Sequence, residues 1–164
     1  MDLESTVASL TPRLLAYALA RTGCRAMAED VAQDALTVLV RRWRTSGPPE
    51  SPDAYAFAIA RRRAGRAVVR RALLAPLGVL RDAVHAGPNA EQAYAGRAEL
   101  IQVRAALRRL PRLDREALLL RAAGELTLEA IARVMRTSPA AVKMRIMGAR
   151  RRLAALLAEP VHGR

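Results

Sequence analysis

The sequence predicts an all-α fold of two small helical domains joined by a linker, the C-terminal one a helix-turn-helix. Three observations predict it. Ala, Leu, Arg and Glu dominate, while aromatics are only 3% of 164 residues, so strand formers are scarce. Apolar residues recur at i, i+3 and i+4 almost throughout. Breakers gather in two stretches, 45–53 and 75–97, and divide the periodic segments into groups.

The first helix is expected over about Leu3 to Thr22, with Leu10, Leu14, Tyr17 and Ala18 on one side. Pro12 suits a first turn better than an interior, so a restart at Thr11 is expected, and Gly23 ends the helix. The second helix, about Arg25 to Arg44, offers Val31, Ala35, Val38 and Leu39. After the loop TSGPPESPD, Ser51 followed by Pro52 is an N-cap and first-turn signal for a third helix reaching about Leu74. Residues 75–97 carry Pro76, Gly78, Gly87, Pro88 and Gly96 and are read as a linker. From Ala98, Leu100, Val103, Leu107 and Leu110 form a stripe that Pro111 breaks. Asp114 to Ala123 makes the next helix, ended by Gly124. The domains are therefore drawn at 1–74 and 98–158, with a tail at 159–164.

The segment TLEAIARVMRTSPAAVKMRIMGARRRL (127–153) reads as a helix-turn-helix. Thr127 caps a short helix with Leu128, Ile131, Ala132 and Met135 on its apolar face. Arg136 and Thr137 turn, and Ser138-Pro139 starts the second helix. There Val142, Ile146, Ala149 and Leu153 fall on one side at about 100° per residue and must face the core. The opposite face is then Ala140, Met144, Met147 and Arg151, flanked by Lys143, Arg145, Arg150 and Arg152. Basic residues at the edges and small or apolar ones between them suit a major groove, where phosphates position the helix and the tip reads base edges. A solvated surface helix would leave Met144 and Met147 uncovered. A protein interface is the other surface that would cover them.

Charge narrows the function. Lys and Arg number 28 against 15 Asp and Glu, a net charge of +13, which attracts a polyanion, nucleic acid first. A single cysteine, Cys24, and two isolated histidines exclude a disulfide or zinc framework within one chain. No glycine phosphate loop or metal-ligand spacing appears, so neither catalytic residues nor a cofactor or metal is expected, and the chain is expected not to be an enzyme. The acidic start MDLESTVASL is no signal peptide. No apolar run nears the roughly 20 residues of a membrane span, so no membrane insertion and a cytoplasmic location are expected.

Two further patches stand out. Between Ala54 and Arg81 there is no acidic residue, and Arg62, Arg66 and Arg70 form an i, i+4, i+8 stripe with Tyr55 and Phe57 shortly before it. Like charges at that spacing destabilise an isolated helix, so a polyanion is their natural partner. On the second helix, Glu29, Asp30, Gln33 and Asp34 make an acidic turn in a basic protein. Carboxylates near a helix N-terminus are favourable in themselves, and such a turn also fits a basic protein surface.

These pieces, in this order, resemble a known family. AEDVAQDAL leads to Trp43. A loop precedes AYAFAIARR, and ALRRLPRLDREALLLR follows the linker before LTLEAIARVM and AAVKMRI. The chain resembles an extracytoplasmic-function (ECF) sigma factor, a two-domain member of the sigma-70 family. The resemblance implies an RNA polymerase subunit that directs core enzyme to promoters and helps to open them. It implies that Glu29, Asp30, Gln33 and Asp34 dock on the β′ clamp helices. Tyr55, Arg62, Arg66 and Arg70 would engage the −10 element. Ala140, Lys143, Met144, Arg145, Met147 and Arg151 would read the −35 element, with the C-terminal domain on the β flap. An anti-sigma factor is a further partner the family implies. The sequence departs from the family pattern at Arg62 (commonly Asn), Arg66 (Asp), Ala130 (Glu), Arg136 (Gly), Met144 (Ser) and Gly148 (a basic residue). A stand-alone helix-turn-helix regulator is the alternative. It leaves the acidic turn and the arginine stripe without a role.

Overall fold

The computed structural model describes residues 2–74 and 92–158, and among them it contains seven α-helices and no strand. They are α1 (Leu3–Thr22), α2 (Arg25–Ser46), α3 (Pro52–Leu74), α4 (Gln92–Arg109), α5 (Arg112–Ala122), α6 (Leu128–Met135) and α7 (Pro139–Ala158). Helices α1 to α3 pack on one another as one module, and α4 to α7 form the second.

Local chemistry sets most ends. The Asp2 carboxylate accepts the Ser5 N–H at 2.8 Å and starts α1. Gly23, at φ 68°, closes it in the left-handed region that glycine enters without a Cβ clash. Ser51 caps α3 through the Ala54 N–H at 3.4 Å. The expected restart at Thr11 does not occur, because α1 runs unbroken through Pro12. Proline there removes the partner of the Ala8 carbonyl. Both residues are exposed, so water can serve that carbonyl instead.

Helix α4 begins at Gln92, inside the stretch read as linker; residues 75–91 and the tail 159–164 lie outside the described residues. Gly96 costs a helix interior only about 1 kcal/mol relative to Ala, which good formers around it outweigh. Leu100, expected on the buried stripe of α4, is 60% exposed, and burial deepens only toward Ala106 and Leu110, where α4 lies on α7.

The core of the first module is Leu10, Leu14 and Tyr17 of α1 against Val31, Ala35 and Leu39 of α2 and Phe57 and Ala60 of α3. That of the second is Leu118 and Leu120 of α5 with Ile131, Val134, Val142 and Ile146. Each large aliphatic side chain so buried contributes about 1.5–3 kcal/mol. The two cores are continuous: α3 lies against α6 and α1 against α5.

At this seam the Tyr17 and Phe57 rings meet edge to face, 5.5 Å between centroids. Arg13 sits 5.7 Å over Phe57, pairs with Asp53 at 2.8 Å, and donates from Nε to the Gly124 carbonyl of the other module at 3.0 Å. Gly124 is needed for its size. A Cβ there would lie 2.8 Å from Phe57 Cε1 and 2.7 Å from the Leu120 oxygen.

Candidate nucleic-acid interface

Helices α6 and α7 build the helix-turn-helix from local signals. Thr127 Oγ1 accepts the Ala130 N–H at 3.1 Å, and Ser138 Oγ accepts the Ala141 N–H at 3.2 Å. Between them Arg136 takes φ 55°, while Thr137 N–H bonds Ala132 O and Arg136 N–H bonds Arg133 O, a Schellman closure. That conformation normally belongs to glycine and costs an L-residue about 1–2 kcal/mol.

Val142, Ile146 and Ala149 bury the inner face of α7. Its outer face carries Ala140, Lys143, Met144, Met147 and Arg151, all exposed, the methionines by 66% and 56%. Lys143 and Arg151 have no ion partner among the described residues. Arg145 does not join them. It turns back to Asp114 at 3.2 Å, where Arg152 also binds, because Asp114 is a nearly buried carboxylate in the first turn of α5 facing α7. Of the residues expected to read the −35 element, Arg145 is thus the one held by a carboxylate of its own module.

On α3, Tyr55, Arg62, Arg66 and Arg70 lie on one side, within about 80° at 100° per residue. The three arginines are exposed and unpaired among the described residues, while Tyr55 is half-buried against the core. Their neighbours are not equivalent: Arg63 pairs with Asp34 at 3.4 Å, and Arg61 points inward. Arg62, Arg66 and Arg70 line a cleft of about 730 Å³ together with Val68, Val69 and Leu73 of the same helix and Arg112 and Arg115 of α5. Burial, then the positive charge of Arg21, lowers the Arg115 pKa.

Glu29, Asp30, Gln33 and Asp34 are all exposed on α2, as their spacing implies. Glu29 holds Arg25 at 2.7 Å, and Asp34 holds Arg63, so Asp30 is the carboxylate of the three without an ion partner among the described residues. Beside them runs an apolar groove of about 410 Å³ between α1 and α2, lined by Thr11, Leu15, Ala32, Leu36 and Val40 with Glu29 and Gln33 at its rim. Sequence reasoning missed this groove. Its signal was Leu15, Leu36 and Val40, apolar residues beyond the stripe each helix needs for its own core. Among the described residues no three His, Cys, Asp or Glu stand where they could hold a metal ion, and no helix is long and apolar enough to cross a membrane.

Against models of known families, residues 6–73 match Sigma-70 region 2 and residues 100–153 match Sigma-70, region 4. Among solved structures, the chain is similar to the sigma factor RpoE in complex with the anti-sigma factor NepR from Bartonella quintana. The identity is 24%, the match covers 97% of this chain and 98% of that one, and the TM-score is 0.71. It is also similar to CnrH, solved in complex with the cytosolic domain of CnrY, at 24% identity, 94% and 86% coverage and a TM-score of 0.69. No curated protein matches.

Proposed function

The chain belongs to the sigma-70 family, in the two-region layout of an ECF sigma factor, and from that premise we propose which of its surfaces does what. It gives core RNA polymerase its promoter choice and has no catalytic residue or cofactor of its own. It works in the cytoplasm, where core polymerase and promoter DNA are. The −35 element is read by Ala140, Lys143, Met144, Met147 and Arg151. Lys143 and Arg151 bind phosphates, and the methionines suit thymine methyls. The −10 element is engaged by Tyr55, Arg62, Arg66 and Arg70. The module boundaries 1–74 and 98–158 separate the two tasks.

The acidic edge of α2 docks on the β′ clamp helices, and the C-terminal module on the β flap. The anti-sigma factor bound to RpoE in the similar structure supports a protein inhibitor for this chain too. The observation that carries the assignment is the unpaired outer row of α7 on a capped helix-turn-helix, in a chain matched over both regions. A stand-alone regulator would not need the unpaired carboxylate of Asp30 at the far module.

The test is binding to core polymerase. Asp30→Arg and Asp34→Arg reverse a charge at the proposed interface, and like charges there cost several kcal/mol, a loss of at least about a hundredfold. Asp30→Arg is the cleaner variant, since Asp34 also holds Arg63. Wild-type affinity in both variants would move the docking surface elsewhere, and a wild type that does not bind core would overturn the sigma assignment.

A further inference from the structure

We propose that the arginine-lined cleft shared by α3 and α5 is a binding site for a nucleoside polyphosphate, its phosphates on the arginines and its base on Val68, Val69 and Leu73. The site rests on the cleft alone and not on the sigma-factor reading.

Charge selects the ligand. Arg61, Arg62, Arg66 and Arg70 of α3 line the cleft, joined by Arg112 and Arg115 of α5. Arg21 of α1 completes the set, and the lining holds no carboxylate. Glu116, outside the lining, stands 3.2 Å from Arg21 and 3.9 Å from Arg61, one carboxylate against two guanidiniums. Arg21 Nε and Arg61 Nε are buried without an aligned hydrogen bond. Arg115 donates to a neutral partner, the Arg108 carbonyl, at 3.3 Å. Arg62, Arg66, Arg70 and Arg112 are exposed and have no ion partner among the described residues. A cleft of one sign focuses its field and concentrates counter-ions, and guanidiniums match phosphate oxygens two by two.

Two positions in the cleft run against local structure without a return inside the chain. Gly65 lies within α3, where glycine is a poor helix former, yet a Cβ there would meet nothing within 4 Å. Packing does not require this glycine, and its missing side chain leaves room beside the helix in the cleft. Arg112 opens α5, where the helix dipole favours a negative group. A bound polyphosphate accounts for both, since it can approach the backbone at Gly65 and meet the guanidinium at Arg112.

Size and polarity choose among polyanions. The cleft holds about 730 Å³, within the range of small-molecule and cofactor sites. Val69 and Leu73 are 59% and 71% exposed, so one part of the lining is uncovered apolar surface. Inorganic phosphates leave that part bare. A nucleoside polyphosphate offers several charges to the arginines and a flat base to the valines and leucine. Arg66 and Arg70 also line a second cleft with Asp30 and Asp34, whereas Arg112 does not, which makes Arg112 the cleaner variant.

The experiment is titration calorimetry of the full chain with ATP and with GTP at about 0.2 M salt, conditions that screen diffuse attraction. At least one should bind with a Kd between about 1 µM and 1 mM, the range in which sites for abundant metabolites work. Saturable binding of neither overturns the proposal. Inorganic triphosphate should bind at least about fivefold more weakly, because it leaves Val69 and Leu73 uncovered. Equal binding overturns the nucleoside in the proposal. Arg112→Ala should weaken the nucleotide at least about tenfold, the loss of one charge-assisted contact. Arg44→Ala, at an exposed arginine of α2 outside the lining, should change it by less than about twofold. Equal losses in these two variants mean that net charge alone attracts the nucleotide, and overturn the site. Gly65→Glu brings a good helix former and a carboxylate into the cleft, so binding should vanish at native helix content. Binding retained there overturns the site, and if either variant loses helix content the other decides. A short single-stranded DNA should be indifferent to Arg112→Ala. A loss of about threefold, the worth of one phosphate contact on a single strand at this salt, makes the cleft a strand groove and overturns the nucleotide site.

Discussion

Asp114 and Glu116 are two residues apart on α5 and face opposite ways, since two residues turn a helix by about 200°. Both are carboxylates with less than a tenth of their surface exposed, and both collect two arginines. Asp114 takes Arg145 and Arg152, from α7 of its own module. Glu116 takes Arg21 and Arg61, from α1 and α3 of the other. The two sites look alike as chemistry and differ as mechanics. One braces α7 against α5 within its own module, and the other ties two modules together. What distinguishes them is whether the partner can leave without unfolding anything.

The contrast is sharpest under substitution. Asp114→Asn should lower the unfolding free energy of the C-terminal module by about 1–3 kcal/mol, the range for losing charge-assisted hydrogen bonds at a nearly buried group. The compactness of the folded chain should not change. Denaturant melts and scattering check this together, and expansion without loss of stability would erase the distinction between the two carboxylates.

Next in size is the split among the basic residues of α7. Lys143→Ala and Arg151→Ala should each reduce the salt slope of −35 DNA binding by about 0.9, roughly a fourfold loss of affinity at 0.2 M salt. Arg145→Ala should leave that slope alone and lower stability, because Asp114 already holds its guanidinium. An equal slope change in Arg145→Ala would put Arg145 back on the DNA.

The smallest expected effect is a gain. Arg136→Gly relieves a left-handed backbone, partly offset by the added freedom of the unfolded chain, and should stabilise the helix-turn-helix by about 0.5–1 kcal/mol. Thermal melts read it directly, and a loss would mean that the Arg136 side chain contributes more than its backbone costs.

Much of this was legible in the sequence because it is local. Thr127, Ser138, Ser51 and Gly23 act within one turn of themselves, so their residue types announce their roles. The inner and outer faces of α7 follow from periodicity alone. The pairings were not legible. The helical wheel sets Arg145 on the flank of the core face and Arg151 opposite it, but only the position of α5 shows that the flank meets a carboxylate. Nothing local to Glu116 marks it, because its partners Tyr17, Arg21 and Arg61 lie on helices of the other module. From Glu116 to Leu120 every residue is buried, so this helix has neighbours on all sides and needs a partner beyond its own module. That run of buried positions was the available signal for the seam.

Gly124 gives the seam a genetic consequence. Every amino acid one base change away from a glycine codon carries a Cβ. A Cβ at this position meets the α5 carbonyl of Leu120 and then the Phe57 ring of the opposite module. Chance mutation at this codon therefore has no silent amino-acid exchange available: each replacement is a wedge at the joint. A screen for variants with weakened contact between the two modules should recover replacements here, at a residue with no side chain to form a contact of its own.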